Sequence, residues 1–147
     1  MGKKKRIRPL AICVFRNNNR ILVAEGYDSV KEEYFYRPLG GAIEFGETSV
    51  DTVCRELMEE INAEVEKESL KFLGAVENIF SFNGDLGHEI VLIYDGLFKQ
   101  AKLYEQAKII GNEVEINETF NAIWKNIDEF GDGKLILYPT GLLEMLI

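Results

Sequence analysis

The sequence GAIEFGETSVDTVCRELMEEINA, residues 41–63, decides the fold of this chain. In its second half, apolar side chains recur at the spacing of one helix face, at Val50, Val53, Leu57 and Ile61. Thr48 precedes them as a typical N-cap, with Asp51 three residues later in a capping-box arrangement. Asn62 follows them, and Asn tolerates the left-handed conformation that ends many helices. The stretch therefore predicts an amphipathic helix between Thr48 and Asn62.

The polar side of this predicted helix carries three carboxylates. Glu56 and Glu60 are one turn apart and project from the same side, with Glu59 beside them. Without a counter-charge they would repel one another and raise each other's pKa, so the arrangement favours bound cations over a merely solvated helix face. Hard carboxylate oxygens suit Mg²⁺ or Mn²⁺, and Mg²⁺ combines a few of them with phosphate oxygens of a substrate.

Such a metal site has a definite chemistry. A divalent cation neutralises a pyrophosphate and lowers the pKa of a bound water that attacks phosphorus, while a remaining carboxylate acts as general base. The backbone at Gly41 can approach the metal closely because no side chain is in the way.

The spacing of these residues resembles the Nudix box, which reads Gly, five residues, Glu, seven residues, then Arg-Glu-apolar-any-Glu-Glu. Gly41, Glu47 and residues 55–60 match it at every one of these positions. The departure is Asn62 followed by Ala63, where the family has Gly followed by a larger apolar residue. A solvated acidic helix would not require the glycine, the upstream Glu and the Arg-Glu pair to coincide.

The resemblance implies a set of metal ligands. Glu56 and Glu60 are the principal ligands by this analogy, Glu59 is a further ligand or the general base, and the Gly41 carbonyl is a backbone ligand. The implied cofactor is Mg²⁺ or Mn²⁺.

The resemblance also implies a catalytic set that includes residues outside the metal ligands. Glu47 is a supporting carboxylate, and Arg55 orients it without touching substrate. Glu89 begins a predicted strand beside a glycine-containing loop, where family members often supply an additional acid that binds metal or takes a proton.

Substrate contacts are sought among a few residues beyond the box. Arg37, just before the glycines, is a candidate for phosphate binding, with a plain surface Arg as the alternative. Phe80 and Phe82 are candidates for stacking on a base, although alternating aromatics on a strand are more often core. The lone histidine, His88, is more often structural than catalytic.

The rest of the chain predicts mainly strands. Hairpins are expected for residues 10–15 with 20–24, and for residues 70–82 with 89–98 across a turn at 83–87. We further expect a loop at 27–33, an irregular segment at 38–41, an ambiguous region at 99–112, a strand at 118–124, a helical turn at 127–130 and a closing helix at 142–146.

These elements predict one domain in 147 residues. By the Nudix resemblance its fold class is α/β, an α/β/α sandwich with a mixed β-sheet, over residues 9–147. Residues 1–8 are predicted to be a basic flexible tail, because they hold five cations: Lys3, Lys4, Lys5, Arg6 and Arg8.

The net charge of −8 restricts the partners. Since five of the 17 Lys and Arg lie in the tail, the body of the chain is strongly acidic and would repel polymeric nucleic acid. No apolar run reaches the roughly 18 residues of a membrane span, and the N-terminus lacks the apolar core of a signal peptide. Cys13 and Cys54 lie among apolar neighbours and are predicted to be buried, reduced thiols. A cytoplasmic protein is expected.

The leading functional hypothesis is a Mg²⁺-dependent hydrolase. It would cleave a phosphoanhydride bond in a nucleoside diphosphate linked to another moiety, or in a nucleoside triphosphate, by water attack at phosphorus. One alternative is a Nudix-fold module that senses a nucleotide without cutting it, which the complete glutamate set disfavours. Another is an isopentenyl-diphosphate-isomerase-like enzyme with a catalytic Cys, which the positions of the two cysteines disfavour.

The identity of the substrate is left open by the sequence. Some family members that act on ADP-ribose have a proline roughly 15 residues past the box, and those that act on dinucleoside polyphosphates have a tyrosine nearby. Here that region reads Val76, Glu77, Asn78, Ile79, Phe80 and has neither marker. The expected partner is a small nucleotide derivative, and similar proteins are often homodimers.

Overall fold

The computed structural model describes residues 5–114 and 116–147. Lys3 and Lys4 of the predicted basic tail lie outside the described residues. The first strand begins at Arg8, the last residue of that predicted tail. The boundary at residue 9 stays a prediction.

The described residues form a mixed sheet with helices on both sides. In chain order the elements are β1 (Arg8–Asn17), β2 (Arg20–Asp28), β3 (Glu33–Arg37), β4 (Leu39–Ala42), α1 (Ser49–Ile61), β5 (Lys71–Phe82), β6 (Asp85–Gly96), β7 (Lys108–Glu113), β8 (Glu118–Asn126), α2 (Ile127–Gly131) and α3 (Leu142–Leu146). Single 3₁₀ turns lie at Lys67–Ser69 and Ala101–Tyr104.

The sheet divides around β1 and β2. Its strand order is β5-β6-β1-β2-β8-β7, with β4 added to β1 and β3 added to β2. The β1 and β6 strands are parallel, and the other pairs are antiparallel. The recorded β1–β2 pairs are Arg16 with Ile21 and Asn17 with Arg20, next to their turn. Beyond them β1 pairs with β4 and β2 with β3, so the two halves of the sheet separate and a cleft opens between them.

Alternation along β1 builds a core on each face of the sheet. Ala11, Cys13 and Phe15 pack with the apolar stripe of α1 on one face. Leu10, Ile12 and Val14 pack with α2 and α3 on the other. A fully buried Leu, Val or Ile contributes about 1.5–3 kcal/mol each, so both layers stabilise the sheet. The predicted α/β/α sandwich with a mixed sheet is confirmed, with its second helical layer made of two short helices.

The predicted box helix is confirmed at both ends. The Thr48 hydroxyl accepts a hydrogen bond from the Asp51 N–H at 3.2 Å, and the helix begins at the next residue. Asn62 adopts the left-handed conformation with φ 53°. The Ala63 N–H donates to the Leu57 carbonyl, so Asn performs the role that Gly has in the family.

The predicted hairpin of residues 70–82 with 89–98 is confirmed, but its turn was predicted too wide at 83–87. The predicted hairpin of residues 10–15 with 20–24 is confirmed as an antiparallel pair of strands, and its recorded pairs lie only beside the turn. The second hairpin turns on Asn83 and Gly84 alone, with φ values of 51° and 86°. An Asn-Gly pair with both φ values positive matches the twist of the flanking strands, so it closes a two-residue turn. Residues 85–87 therefore belong to β6.

Three segments that the sequence left irregular or ambiguous are more regular in the structure. The predicted irregular segment at 38–41 is largely strand β4, where Gly40 permits close pairing because an added Cβ would clash with the Ala11 carbonyl oxygen. The predicted loop at 27–33 shrinks to residues 29–32, since β2 continues to Asp28. The ambiguous region at 99–112 contains the 3₁₀ turn Ala101–Tyr104 followed by β7. The predicted elements at 118–124, 127–130 and 142–146 are confirmed as β8, α2 and α3.

The two cysteines differ in exposure. Cys13 is buried as predicted, whereas Cys54 on α1 is partly exposed, and both thiols are free. Among the helices of the described chain, none has the length and apolar character needed to cross a membrane.

Candidate metal and catalytic site

Arg55 ties the carboxylates of the box to one another. Its guanidinium donates two hydrogen bonds to Glu47, at 2.7 and 2.9 Å. The Nη1 atom donates to Glu56 at 2.9 Å and to Glu59 at 3.3 Å, and Nη2 donates to the Ala42 carbonyl at 3.1 Å. These contacts join the segment before α1 to the second and third turns of that helix, and they raise the pKa of Arg55, chiefly through Glu47.

Glu47 lies behind the site and does not line the cleft. Besides Arg55, it accepts hydrogen bonds from the Thr52 hydroxyl at 2.7 Å and from the Glu44 N–H at 3.2 Å. The Arg55 hydrogen bonds, with smaller contributions from Thr52 and Glu44, lower the pKa of Glu47 to about 2. A carboxylate held by this many donors is charged at neutral pH and fixed in orientation, which suits a residue that positions others.

Glu60 is the most unusual group of the site. It is 5% exposed, and within the described ranges its Oε1 atom has no hydrogen-bond partner. Burial, together with the nearby charges of Glu56 and Glu113, raises its pKa to about 9. Burial likewise raises the pKa of Glu56. A buried carboxyl with an unused oxygen beside a second carboxylate calls for a cation.

Gly41 brings the backbone against these glutamates. A Cβ at this position would meet the Glu56 carboxylate, with Oε1 at 2.5 Å and Oε2 at 2.7 Å. Only glycine therefore allows β4 to lie directly against α1 at this level, and the predicted ligands Gly41, Glu56 and Glu60 line one cleft.

The residues fit a divalent cation by their chemistry, without forming a finished coordination shell. Among residues 5–114 and 116–147, no group of three His, Cys, Asp or Glu side chains is arranged to hold a metal ion. Arg55 engages Glu56 and Glu59 instead. The unused Glu60 oxygen and the close approach at Gly41 are the features that match oxygen ligation of Mg²⁺ or Mn²⁺.

Glu113, at the end of β7, is a site residue that sequence reasoning missed. It raises the pKa of Glu60 by its charge and by a side-chain hydrogen bond, and it lines the same cleft as Glu56 and Glu60. It directly follows the ambiguous region at 99–112, and no spacing rule links it to the box. Only the packing of β7 against α1 brings this further acid to the site.

The cleft between the two halves of the sheet has a volume of about 550 Å³, within the range of small-molecule sites. Besides the box residues, it is lined by three predicted site residues, Arg37, Phe82 and Glu89. Glu59 is not among the lining residues, and its side chain is 43% exposed beside Arg55.

A second cavity of about 260 Å³ adjoins the cleft and is lined by Phe80 and Phe82. His88 lines neither cavity, and no described residue makes a hydrogen bond to its buried Nε2 atom. Neither cysteine is among the described residues that line the cleft, so the structure offers no support for a catalytic thiol there.

The chain is similar to known proteins over most of its length. A family model described as NUDIX domain matches residues 5–138. A MutT NUDIX hydrolase from Burkholderia pseudomallei is 20% identical, with a TM-score of 0.65 over 97% of this chain and 100% of that one. A NUDIX hydrolase from Nitrosomonas europaea is 13% identical, with a TM-score of 0.63 over 96% and 86%. The E. coli ORF135 protein is 16% identical, with a TM-score of 0.61 over 97% and 89%. At these identities the likeness is one of fold.

Proposed function

Because this chain belongs to the NUDIX domain family, whose general reaction is the hydrolysis of a pyrophosphate linkage, we propose that it is a Mg²⁺- or Mn²⁺-dependent nucleotide pyrophosphohydrolase. Its substrate is a nucleoside diphosphate linked to another moiety, or a nucleoside triphosphate. The observation that carries this function is the buried Glu60 carboxyl, which lines the cleft together with Glu56 and has one oxygen without a hydrogen-bond partner among the described residues.

Three groups would hold the metal. Glu56 and Glu60 project from one side of α1, and the Gly41 carbonyl belongs to the strand that lies against them. When bound, the cation neutralises the pyrophosphate and lowers the pKa of a water molecule. Glu113 supports the same site as a further acid of the cleft.

The role of proton acceptor for the attacking water goes to Glu59, the glutamate of the helix face that remains when Glu56 and Glu60 hold the metal. Its side chain is 43% exposed, so water reaches it, and Arg55 holds one of its oxygens at 3.3 Å. Glu47 fixes the guanidinium through two hydrogen bonds, so Arg55 and Glu47 act as positioning residues that set the orientation of Glu56 and Glu59.

Arg37 is the proposed phosphate contact from the opposite wall of the cleft. Its Nη2 atom lies 3.6 Å from a Glu89 oxygen, and its side chain keeps 29% exposure toward the cavity. A guanidinium in this position recognises a phosphate through paired N–H groups. The role of Glu89 as an additional catalytic acid stays a prediction.

The test is the release of phosphate or nucleoside monophosphate from a panel of nucleotides with Mg²⁺ or Mn²⁺. Glu60→Gln removes a ligand charge with little change in shape, and we expect turnover to fall roughly 10³-fold, since a bound cation contributes several kcal/mol to the transition state. Glu68→Gln, an exposed acid in the 3₁₀ turn after α1, is the matched control and should keep full activity.

Two results would contradict a metal-dependent hydrolase. One is turnover that persists in EDTA or in Glu60→Gln. The other is the absence of turnover on every panel member while calorimetry still detects nucleotide binding, which would indicate the non-catalytic sensing module instead.

A further inference from the structure

The cavity of about 260 Å³ is joined to the cleft by a shared wall. Five residues line both spaces: Arg8, Phe35, Arg37, Phe82 and Glu89. Ligand sites for whole small molecules usually measure about 300–1,000 Å³, so this smaller space suits one planar moiety of a substrate whose phosphates lie in the larger cleft.

The cavity lies on the face of the sheet opposite α1. Glu89 has the same orientation on β6 as Val91 and Ile93, which pack in the core beneath α2 and α3. Asn78 is directly opposite Glu89 in the β5–β6 register, so both side chains point to that face. A substrate extending from the box would pass between the two halves of the sheet to reach them.

Asn78 and Glu89 are buried polar residues of this cavity, which is lined both by aromatic rings and by the charged residues Asp28, Lys31 and Glu33. Asn78 is 4% exposed and Glu89 is 3% exposed. Across the described part of the chain, the Glu89 Oε1 atom has no hydrogen-bond partner. A buried carboxylate oxygen without a hydrogen bond is costly even though the Arg37 Nη2 atom at 3.6 Å partly offsets its charge, and an N–H donor of a ligand would satisfy it. The amide of Asn78 adds one acceptor and two donors.

Four aromatic rings of the described residues also line the cavity. Phe35 meets Phe82 edge to face at 5.6 Å and Tyr138 at 5.7 Å. Glycines stand opposite two of the rings, Gly26 across from Phe35 and Gly87 across from Phe80. A Cβ at either glycine would collide with its ring, so these glycines let the rings lie flat on the sheet and leave the cavity open.

The charges at the junction support a phosphate on one side and a base on the other. Glu89 is flanked by Arg37 at 3.6 Å and Arg8 at 3.9 Å, neither within hydrogen-bond distance. A phosphate in the cleft competes for the guanidinium groups, which leaves the carboxylate available to N–H groups of a ligand. Ring edges that combine N–H donors with acceptors are what nucleobases provide.

Resting on the proposed hydrolase, we propose that this cavity binds the nucleobase of the substrate and that Asn78 and Glu89 determine which base is accepted. The base lies among Phe35, Phe82 and Tyr138 with its edge toward the polar pair. Asn78 is thus a specificity-determining residue, separate from the box that performs the reaction.

The test is equilibrium binding in EDTA, where the subsite is measured without the reaction. AMP, GMP, CMP, UMP and ribose 5-phosphate are titrated by calorimetry into the wild type, Asn78→Ser and Ile79→Ala. Ile79 is the next residue on β5, 63% exposed on the other face, and serves as the matched control. We expect at least one monophosphate to bind roughly tenfold tighter than ribose 5-phosphate, and Asn78→Ser to remove most of that preference, as for a lost buried hydrogen bond.

A second measurement avoids the question of whether Asn78→Ser folds. In the wild type, the side-chain amide resonance of Asn78 should shift on addition of the preferred monophosphate and stay unchanged with ribose 5-phosphate. Equal binding of all five probes, or a base preference that survives in Asn78→Ser, would overturn the subsite.

Failure of the reaction and failure of the subsite can be told apart. Base-selective binding at Asn78 without Mg²⁺-dependent turnover would keep the nucleobase subsite and refute the hydrolase. Turnover lost in Glu60→Gln but indifferent to the base and to Asn78 would keep the hydrolase and refute the subsite.

Discussion

The box on the α1 side of the sheet and the cavity on the opposite side differ in how their residues are distributed along the chain. On the α1 side, Gly41, Glu47 and residues 55–60 come from one continuous segment. On the opposite side, Phe35, Asn78, Glu89 and Tyr138 come from four separate segments. A site made by one loop and one helix can be recognised by spacing, whereas a site made by strand pairing has no spacing to recognise.

The two parts also differ in what holds them together. The box depends on charge, with Arg55 bonded to three glutamates and Glu60 buried beside further acids. The cavity depends on rings packed over glycines and on one cross-strand polar pair. Substitutions should therefore affect the reaction on one side and the choice of ligand on the other.

The largest expected effect is on the box side. Glu59→Gln, which removes the proposed proton acceptor and keeps its shape, should lower kcat roughly 10²–10⁴-fold. Binding of nucleoside monophosphates in EDTA should be unchanged, because Glu59 lies outside both cavities. Steady-state kinetics and calorimetry on the same preparation check this, and a loss of both properties together would show that the two parts are not separable.

A matched pair of core truncations tests whether each layer serves its own part. Leu57 on α1 and Leu142 on α3 are both fully buried. Changing either to Ala should cost roughly 2–5 kcal/mol of unfolding free energy by urea denaturation. Added Mg²⁺ that binds only the folded protein stabilises it by RT ln(1 + [Mg²⁺]/Kd), so tighter binding gives a larger gain. We expect that gain to shrink only in Leu57→Ala, since Leu57 adjoins Glu56, and an equal loss in Leu142→Ala would contradict the division.

The raised pKa of Glu60 should make the free energy of unfolding depend on pH. Because its pKa rises from 4.5 to about 9 in the folded protein, its contribution to stability is complete below pH 4.5 and disappears as the pH rises toward 9. In EDTA the unfolding free energy of the wild type should therefore fall with pH across this window, by at most about 1.4 kcal/mol per pH unit from one group. Glu60→Gln should flatten the curve. Equal slopes in the two proteins would exclude Glu60 as the source.

The smallest expected effect is on the cavity side. Phe35→Leu removes the ring that contacts both Phe82 and Tyr138 and keeps an apolar side chain. Loss of aromatic contacts worth about 0.5–1.5 kcal/mol should raise KM roughly 2–10-fold with kcat unchanged. Tyr27→Leu, an exposed aromatic on the neighbouring strand β2, is the control and should change neither value. A fall in kcat alone would place Phe35 with the reaction instead of with binding.

Much of the fold followed from local chemistry. Thr48 begins α1 because its side chain caps a free N–H group, and Asn62 ends the helix because it tolerates a left-handed conformation. Both effects depend on a few neighbouring residues. The Asn83-Gly84 turn was placed too widely because the strand residues after it include Gly87, which reads as a turn residue. Its function there is to accommodate the Phe80 ring across the ladder, and only the register shows that.

The candidate site likewise has one part set by the local sequence and one part set by the tertiary structure. The positions of Gly41, Glu56, Glu59 and Glu60 relative to one another follow from helix geometry and one short loop, so the sequence alone determined the acidic box and the family it belongs to. Only the tertiary structure decided that Glu113 lies at this box and that Asn78 is opposite Glu89 in the β5–β6 ladder. The physical reason is that strand pairing and layer packing are non-local: they bring together residues that no periodicity in the sequence connects.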